Sequence, residues 1–300
     1  MRIFVTGASG WIGSAVVQLL LESGHDVVGL ARSDASAEAV ARLGATVKRS
    51  DLDDVDALQE AAAASEGVVH LGYVHDFSRM EDAARTDRAA IEAFGCALEG
   101  TGRPLLIASG TLGLATGRPG TEEDEPAPVH PRVGNALAAL ALAERGVRPV
   151  VVRFAPTVHG EGDQGFLATL ARVAVEKGVS GWVGDGVNRW SAVHRLDAAA
   201  LVRQLVESGP EQGSVVHAVG EEGIATHDIA VAIGRGVGVP ARSVPVEEAA
   251  GHFGWIGGFF GMDATASSAL TRQRTGWAPT HSGLLADLGA GYYPGLVSHS

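Results

Sequence analysis

The chain has little cysteine, lysine and tyrosine, and it lacks long hydrophobic runs. Cys96 is the single cysteine among 300 residues, so no internal disulfide can form, and nothing around it indicates zinc. We expect no metal site. No apolar run is long enough to cross a bilayer, and the chain starts directly in a predicted strand without a signal peptide. We therefore expect a cytoplasmic protein without a membrane partner.

Basic residues are also scarce. Lysine and arginine number 23 against 35 aspartates and glutamates, which gives a formal net charge of −12. This acidity, spread along the chain without a basic stripe, argues against a nucleic-acid partner. A hydrophobic content of 46% over 300 residues is enough to bury a core, either in one large α/β domain or in a domain with a lobe.

Glycine is abundant, and near the N-terminus it is regularly spaced in the segment RIFVTGASGWIG. The apolar run 3–5 is typical of a buried parallel strand, and residues with helical apolar spacing follow the glycines. Gly7 permits a tight turn, Gly10 lets a phosphate approach the backbone, and Gly13 lets helix and strand pack closely. The helix N-terminus can then hold a pyrophosphate. We predict a dinucleotide site here, which also includes Ser9, Trp11 and Ile12.

The end of the second predicted strand, 26–31, bears on the choice of cofactor. Enzymes selective for NAD usually place an acidic residue there to bind the ribose 2′-OH. Here Arg32 can face the 2′-phosphate of NADP, and Ser33 can donate a hydrogen bond to it. Asp34 is close by, so NAD(H) stays possible, and a solvated Arg32 is the other interpretation. We expect NADP(H).

Alternating strands and helices continue through the first half of the chain. They predict an α/β fold of the Rossmann type, a doubly wound parallel sheet, over residues 1–160. From Glu161 the alternation becomes irregular. We assign 161–300 mainly to a substrate lobe, with the strand 214–219 returning to the core sheet.

Ligands of open parallel sheets bind beyond the carboxyl ends of the strands, so the residues that follow strands are candidates for the site. Ser109 ends the fifth strand, where its hydroxyl could hydrogen-bond a substrate carbonyl. Asp53 or Asp54 could cap the helix that follows, and for Asp53 the cap is the favoured interpretation. The other candidates are Asp51 and Leu52 at the adenine, Leu71, Gly72 and Tyr73 along the cofactor, and His75 and Thr111 near the substrate.

The motifs together resemble the short-chain dehydrogenase/reductase superfamily in its extended and atypical branches. The likeness rests on TGASGWIG, Asp51-Leu52, HLGY, SGT, RFAPTVHG and GDGVNRWSAVHRLDAA, which occur in the family's order. It implies a seven-stranded parallel sheet with helices on both faces, a small C-terminal substrate lobe, and a homodimer. It also implies that Phe154, Ala155, Pro156 and Thr157 lie along the nicotinamide half of the cofactor.

The family's catalytic pair is missing. The family pattern is Tyr-x-x-x-Lys, in which the tyrosine gives a proton to the carbonyl oxygen and the lysine lowers the tyrosine's pKa. No such pair exists in this chain. The nearest registration puts Arg132 at the tyrosine position and Ala136 at the lysine position. The available residues are the tyrosines Tyr73, Tyr292 and Tyr293 and the lysines Lys48 and Lys177.

Several groups could donate the proton instead. His130 or Arg132 could occupy the vacated space, although arginine is a poor acid. Tyr73 could swing toward the nicotinamide. His159 or His194 could reach down from the lobe, since imidazole has a suitable pKa, although a structural hydrogen bond is the favoured interpretation for both. Water or an acidic group of the substrate is the remaining alternative.

These features predict an NADP(H)-dependent reductase of a hydrophobic carbonyl, imine or enone. Aromatic residues including Trp190 and Trp255 suit an apolar substrate, although the cluster around Trp255 could equally be the lobe's own core or a dimer contact. A sugar-nucleotide epimerase or dehydratase is one alternative, because Arg189 sits where such relatives bind a diphosphate. A non-catalytic NADP-binding protein is the other, because the Tyr-Lys pair is missing.

Overall fold

A seven-stranded parallel sheet forms the core of the computed structural model, which describes residues 1–74, 79–114, 117–126, 131–208 and 213–291. The strand order is β3-β2-β1-β4-β5-β6-β10, with every neighbouring pair parallel. The order reverses between β1 and β4, where open α/β sheets bind their ligands. The strands are β1 (Arg2–Thr6), β2 (Asp26–Ala31), β3 (Thr46–Arg49), β4 (Gly67–His70), β5 (Pro104–Gly110), β6 (Arg148–Phe154) and β10 (Ser214–Ala218).

Helices cover both faces of this sheet, because each strand carries apolar side chains on both sides. One apolar core lies under α1, α2 and α7, and the other lies under α3, α4 and α5. The expected doubly wound α/β fold is thereby confirmed. The helices are α1 (Trp11–Glu22), α2 (Asp34–Arg42), α3 (Val55–Ala63), α4 (Met80–Leu98), α5 (Pro131–Ala141) and α7 (Arg195–Ser208).

The remaining elements form a lobe with its own apolar core. It contains a three-stranded sheet in the order β11-β9-β7 and a two-stranded sheet of β12 and β8. Its strands are β7 (Thr157–His159), β8 (Ser180–Val183), β9 (Arg189–His194), β11 (Glu221–Ala225) and β12 (Ala241–Val244). Its helices are α6 (Phe166–Lys177), α8 (Thr226–Val237), α9 (Ala249–Phe253), α10 (Gly257–Phe260) and α12 (Leu284–Gly289), whereas α11 (Ala269–Thr275) packs against β10 of the core sheet.

The turn before α3 differs from the expectation. Asp54, and not Asp53, caps the helix by accepting a hydrogen bond from the Ala57 N–H. The reason is local, because Asp51 Oδ1 accepts the N–H groups of both Asp53 and Asp54 and shifts the helix start by one residue. Asp53 instead accepts the Thr86 hydroxyl on α4.

Candidate functional site

The glycine turn between β1 and α1 is closely packed. Gly7 has φ +67°, and a Cβ there would lie 2.8 Å from the backbone of Leu71 and Gly72. A Cβ on Gly13 would lie 2.0 Å from the Gly7 carbonyl oxygen, and one on Gly10 would lie 3.1 Å from the same atom. The backbone can therefore take this path only with glycine at Gly7 and Gly13. The turn also brings the ends of β1 and β4 together.

The N-terminus of α1 carries no acidic residue in its first turn, and Ser9 and Gly10 are exposed. The free N–H groups and the positive end of the helix dipole are thus available to an anion. Trp11 and Ile12, the next two residues, are half-buried. The cradle, Gly7 to Gly13, fits the pyrophosphate of a dinucleotide in shape and in charge.

Trp11 ties the cradle to the rest of the molecule. Its indole Nε1 donates to the Val158 carbonyl oxygen at 2.8 Å. The Arg195 guanidinium lies over the indole ring, 4.2 Å from its centroid, and its Nη2 donates to Ser14 Oγ at 2.6 Å. These contacts fix the start of α1 against β7 and α7.

At the end of β2, Arg32 is exposed, and within the described ranges it forms no ion pair. Asp34, the residue that favoured NAD, is paired with Arg49 at 2.9 Å. Ser33 caps α2 by accepting the Ser36 N–H at 3.2 Å, and its own hydroxyl donates to Ser36 Oγ at 3.1 Å. Arg32 is thus the cation available here, whereas Ser33 would have to give up its bond to Ser36 before donating to a phosphate.

A buried polar chain runs beneath the cradle from Thr6 to α5. The Thr6 Oγ1 accepts the Gly72 N–H at 3.0 Å and lies 2.7 Å from His70 Nδ1, while His70 Nε2 lies 3.1 Å from Asp87 Oδ1. Asn135 Nδ2 donates to Asp87 Oδ2 at 2.7 Å. All four groups are satisfied when Thr6 donates to His70 and His70 donates to an ionised Asp87.

Asp87 lies on α4, and it is buried although aspartate is typical of the solvated face of a helix. Its side chain is only 3% exposed and points into the sheet. Burial raises the pKa of Asp87, but the hydrogen bond from His70 and the charge of nearby Arg132 outweigh that effect, so the pKa lies below its ordinary value. A buried carboxylate of this kind is the counter-charge for whatever cation lies near it.

The cation near Asp87 is Arg132, which our alignment with the family pattern places at the position of the tyrosine. Its guanidinium lies over the Tyr73 ring, 4.1 Å from the centroid, and its Nη2 donates to the Ala108 carbonyl oxygen at 3.0 Å. Burial raises the pKa of Tyr73, the Arg132 charge opposes the rise, and the Asp87 charge adds to it. Tyr73 and Arg132 therefore form a stacked pair at the carboxyl ends of β4 and β5, beside Ser109.

Ser109 is half-buried at the end of β5, and in the described part of the chain its hydroxyl makes no hydrogen bond. Thr111 is buried, with its N–H donating to the Phe154 carbonyl oxygen at 3.0 Å and its hydroxyl 3.5 Å from Ser191 Oγ. Thr111 thus joins the core sheet to the lobe instead of facing the cleft.

The segment expected along the nicotinamide follows β6. Phe154 and Ala155 are buried and Pro156 is half-buried. Thr157 is 2% exposed, and its Oγ1 has no hydrogen-bond partner among the described residues. A buried hydroxyl without a partner is costly and is typical of a ligand site, so this segment also fits a bound cofactor. Asp51 is exposed and Leu52 half-buried at the adenine end.

The lobe histidines belong to a separate cluster. His159 is buried and its Nδ1 donates to Asp287 Oδ2 at 2.6 Å, which supports the structural interpretation. His194 stacks on His281 with ring centroids 4.6 Å apart and an interplanar angle of 5°. Burial and the neighbouring His159 lower the pKa of His194. These contacts tie α12 to β7 and β9.

Part of this cluster has the composition of a metal site, since His194, Asp197 and His281 offer ligand atoms within 4.8 Å of one another. However, the Asp197 carboxylate already accepts the N–H groups of Thr280 and His281 and the His281 ring Nδ1. The in-plane lone pairs of two parallel imidazoles also do not converge on one point. The cluster is explained as a clamp on residues 280–289.

Two expected substrate residues have different environments. Trp190 is fully buried, with its ring 5.5 Å from Phe166 and 5.3 Å from Phe260, so it belongs to the lobe core and not to a substrate wall. Trp190 is buried because its ring packs between those of Phe166 and Phe260. Trp255 is 46% exposed. His75 and His130 lie outside the described residues.

Comparisons with known proteins agree with this architecture. The profile of the NAD dependent epimerase/dehydratase family matches residues 3–218. An uncharacterised protein of Schizosaccharomyces pombe is 47% identical over 98% of this chain and 100% of its own length. A 4-hydroxy-2-methyl-3-oxo-4-farnesyl-3,4-dihydroquinoline-1-oxide ketoreductase of Stigmatella aurantiaca is 30% identical over 70% of this chain and 66% of its own.

A solved structure shares the fold at low sequence identity. It is a UDP-glucose 4-epimerase of Thermotoga maritima with UDP-glucose, which matches with a TM-score of 0.79 and 18% identity over 98% of both chains. In the part of the chain that the structure describes, none of the helices is both long enough and apolar enough to span a membrane.

Proposed function

The chain belongs to the NAD-dependent epimerase/dehydratase family, and on that basis we propose that it is an NADP(H)-dependent reductase of a hydrophobic carbonyl, imine or enone. The observation that carries the proposal is the convergence of the glycine cradle, Ser109 and the Tyr73–Arg132 pair at one edge of the sheet. This is the edge where such sheets bind ligands.

The nucleotide would be held by main-chain groups at one end and by Arg32 at the other. The cradle N–H groups bind the pyrophosphate, and exposed Arg32 binds the 2′-phosphate as a charge-assisted pair. Asp34 faces Arg49 at 2.9 Å, and Arg32 is the neighbouring cation that makes no ion pair among the described residues. Thr157 Oγ1 would gain a partner from the nicotinamide half.

Bound NADPH supplies a hydride, and the chain must supply a polarising group and a proton. Ser109 donates a hydrogen bond to the carbonyl oxygen, and Tyr73 gives that oxygen the proton which completes the alcohol. Arg132, stacked on the Tyr73 ring, stabilises the tyrosinate that remains. The cation thus replaces the family lysine, while the tyrosine comes from the end of β4 instead of from the helix.

Tyr73 is the donor favoured among the described candidates. Arg132 remains a cation under all ordinary conditions, so it cannot act as an acid. His159 is bonded to Asp287, and the Nδ1 of His194 accepts the Leu196 N–H at 3.2 Å. The relative from Stigmatella aurantiaca, named as a ketoreductase, supports carbonyl reduction.

The test is NADPH oxidation by the purified protein with a panel of apolar ketones, imines and enones. Tyr73→Phe should lower kcat by about 10²- to 10⁴-fold, because the proton donor is lost while the ring under Arg132 is kept. Ser109→Ala should lower kcat with little change in NADPH affinity, whereas the exposed Ser208→Ala is the matched control and should change neither.

Three results contradict the proposal. The first is full activity in Tyr73→Phe. The second is cofactor binding without NADPH oxidation on any substrate, as expected for a non-catalytic protein. The third is turnover of UDP-sugars with NAD, as expected for an epimerase.

A further inference from the structure

Three aromatic side chains form a surface on the lobe, which we name the aromatic platform: Phe166, Trp255 and Phe259. Their ring centroids are 5.7 Å apart for Phe166 and Trp255, 6.5 Å for Phe166 and Phe259, and 6.2 Å for Trp255 and Phe259. Trp255 is 46% exposed and the two phenylalanines are half-buried. The platform therefore presents uncharged ring surface to its surroundings.

The platform is supported from behind. Phe166 packs on Trp190, which is fully buried and packs in turn on Phe260. The Trp190 indole Nε1 donates to the Met262 carbonyl oxygen at 3.2 Å, so its orientation is fixed. A rigid backing of this kind lowers the entropy lost when a ligand packs against the exposed rings.

The lobe core behind the platform contacts the candidate site on the side of β5. The hydroxyl oxygen of Ser191, the residue after Trp190, lies 3.5 Å from that of Thr111. Leu112 packs against the same lobe core as Phe166 and Phe259. Ser109 precedes Leu112 by three residues, so their Cα atoms are at most about 11 Å apart.

A short segment of the chain connects the platform to the cradle. Gly162 lies against the Trp11 ring, since a Cβ built on it would be 3.8 Å from that ring. Phe166 follows Gly162 by four residues and begins α6, which limits the separation of their Cα atoms to about 14 Å. The platform thus lies on the lobe core that Leu112 also contacts, and residues 162–166 connect it to the Trp11 side of the cradle.

We propose that the aromatic platform binds a flat, fused-ring portion of the substrate, whose carbonyl carbon extends toward Ser109. Ring faces pair with aromatic rings by offset or edge-to-face stacking, which adds to simple burial and is not available to a flexible alkyl chain. A rigid ring also loses less conformational entropy on binding. The placement of the carbonyl rests on the proposed function, whereas ring binding does not depend on turnover.

The experiment compares two methyl ketones of twelve carbons, acetylnaphthalene and dodecanone, by equilibrium dialysis against the whole protein with NADP⁺ present. The wild type should bind acetylnaphthalene about tenfold or more tightly than dodecanone. Trp255→Leu should remove most of this preference, and Trp255→Phe should keep much of it, because phenylalanine retains an aromatic face. Phe259→Leu is a second variant, and its preference should fall in the same direction.

Trp182→Leu is the matched control, because the Trp182 ring packs edge-to-face with His227 and, among the described ring contacts, makes none with the platform. It should leave the preference unchanged. The proposal is overturned if the wild type binds both ketones equally, or if Trp255→Leu and Phe259→Leu keep the wild-type preference while their melting temperatures show that they fold. If the protein prefers acetylnaphthalene but oxidises NADPH with no substrate, the proposed reductase activity is refuted and the ring-binding site is still supported.

Discussion

Removing the carboxylate of Asp87 should destabilise the fold through the hydrogen bonds that it accepts. The side chain is 3% exposed, and it accepts from His70 Nε2 at 3.1 Å and from Asn135 Nδ2 at 2.7 Å. In Asp87→Ala both donors lose their acceptor. Each buried unsatisfied donor costs about 1–3 kcal/mol, so we expect a loss of roughly 2–6 kcal/mol in the free energy of unfolding. That is a large part of the ~5–15 kcal/mol typical of a folded domain.

The assay is urea unfolding followed by circular dichroism at neutral pH. Asp82→Ala is the matched control, because Asp82 lies on the same helix, its side chain is 41% exposed, and among the described residues its ion pairs are with Arg79 and Arg85. Surface pairs of this kind contribute less than about 1 kcal/mol. Equal urea midpoints for the Asp87 and Asp82 variants would refute the argument.

The pH dependence gives an independent check. The pKa of Asp87 is lowered below its ordinary value of 3.8, so its contribution to stability is present above that value and is lost as the pH falls through the folded-state pKa. Asp87→Asn carries no such charge. The difference in unfolding free energy between wild type and Asp87→Asn should therefore narrow as the pH is lowered from 7 toward about 3. A difference that does not change with pH would contradict the assignment of an ionised Asp87.

Further predictions concern the cofactor and the clamp. Gly13→Ala should abolish cofactor binding or folding, because its methyl group would lie 2.0 Å from the Gly7 carbonyl oxygen. A folded variant with wild-type affinity for NADPH would contradict this prediction. Arg32→Glu should weaken NADPH binding by about tenfold or more and leave NADH binding unaffected, as measured by calorimetry. Asp287→Ala should lower the melting temperature and increase hydrogen exchange in residues 280–289, because buried His159 loses its acceptor; unchanged exchange would exclude the clamp.

Local patterns predict most of the sheet. The predicted strand 26–31 has the bounds seen in the structure, and the glycine spacing predicts the cradle with its three close approaches. Such features depend on neighbours in the chain, namely apolar runs, glycine positions and caps. The cap at Asp54 in place of Asp53 shows the limit of this approach, because one carboxylate two or three residues earlier decides it.

The polar chain from Thr6 to Asn135 could not be predicted, because its members come from four segments that are distant in the sequence. One signal was available, since Asp87 lies at helical spacing with buried Ala84, Ala90 and Ile91, and a charged residue at such a position indicates a buried partner. For Trp190 the sequence predicted a substrate contact and the structure shows a core residue, because an aromatic residue within a site motif can pack into the core behind the site.

The central claim is that the cradle and Arg32 hold NADP(H). Calorimetric titration of the wild-type protein with NADPH and with NADH tests it most directly. We predict saturable binding of one nucleotide per chain, with NADPH bound about tenfold or more tightly than NADH. Failure to bind either nucleotide, or tighter binding of NADH, would contradict it.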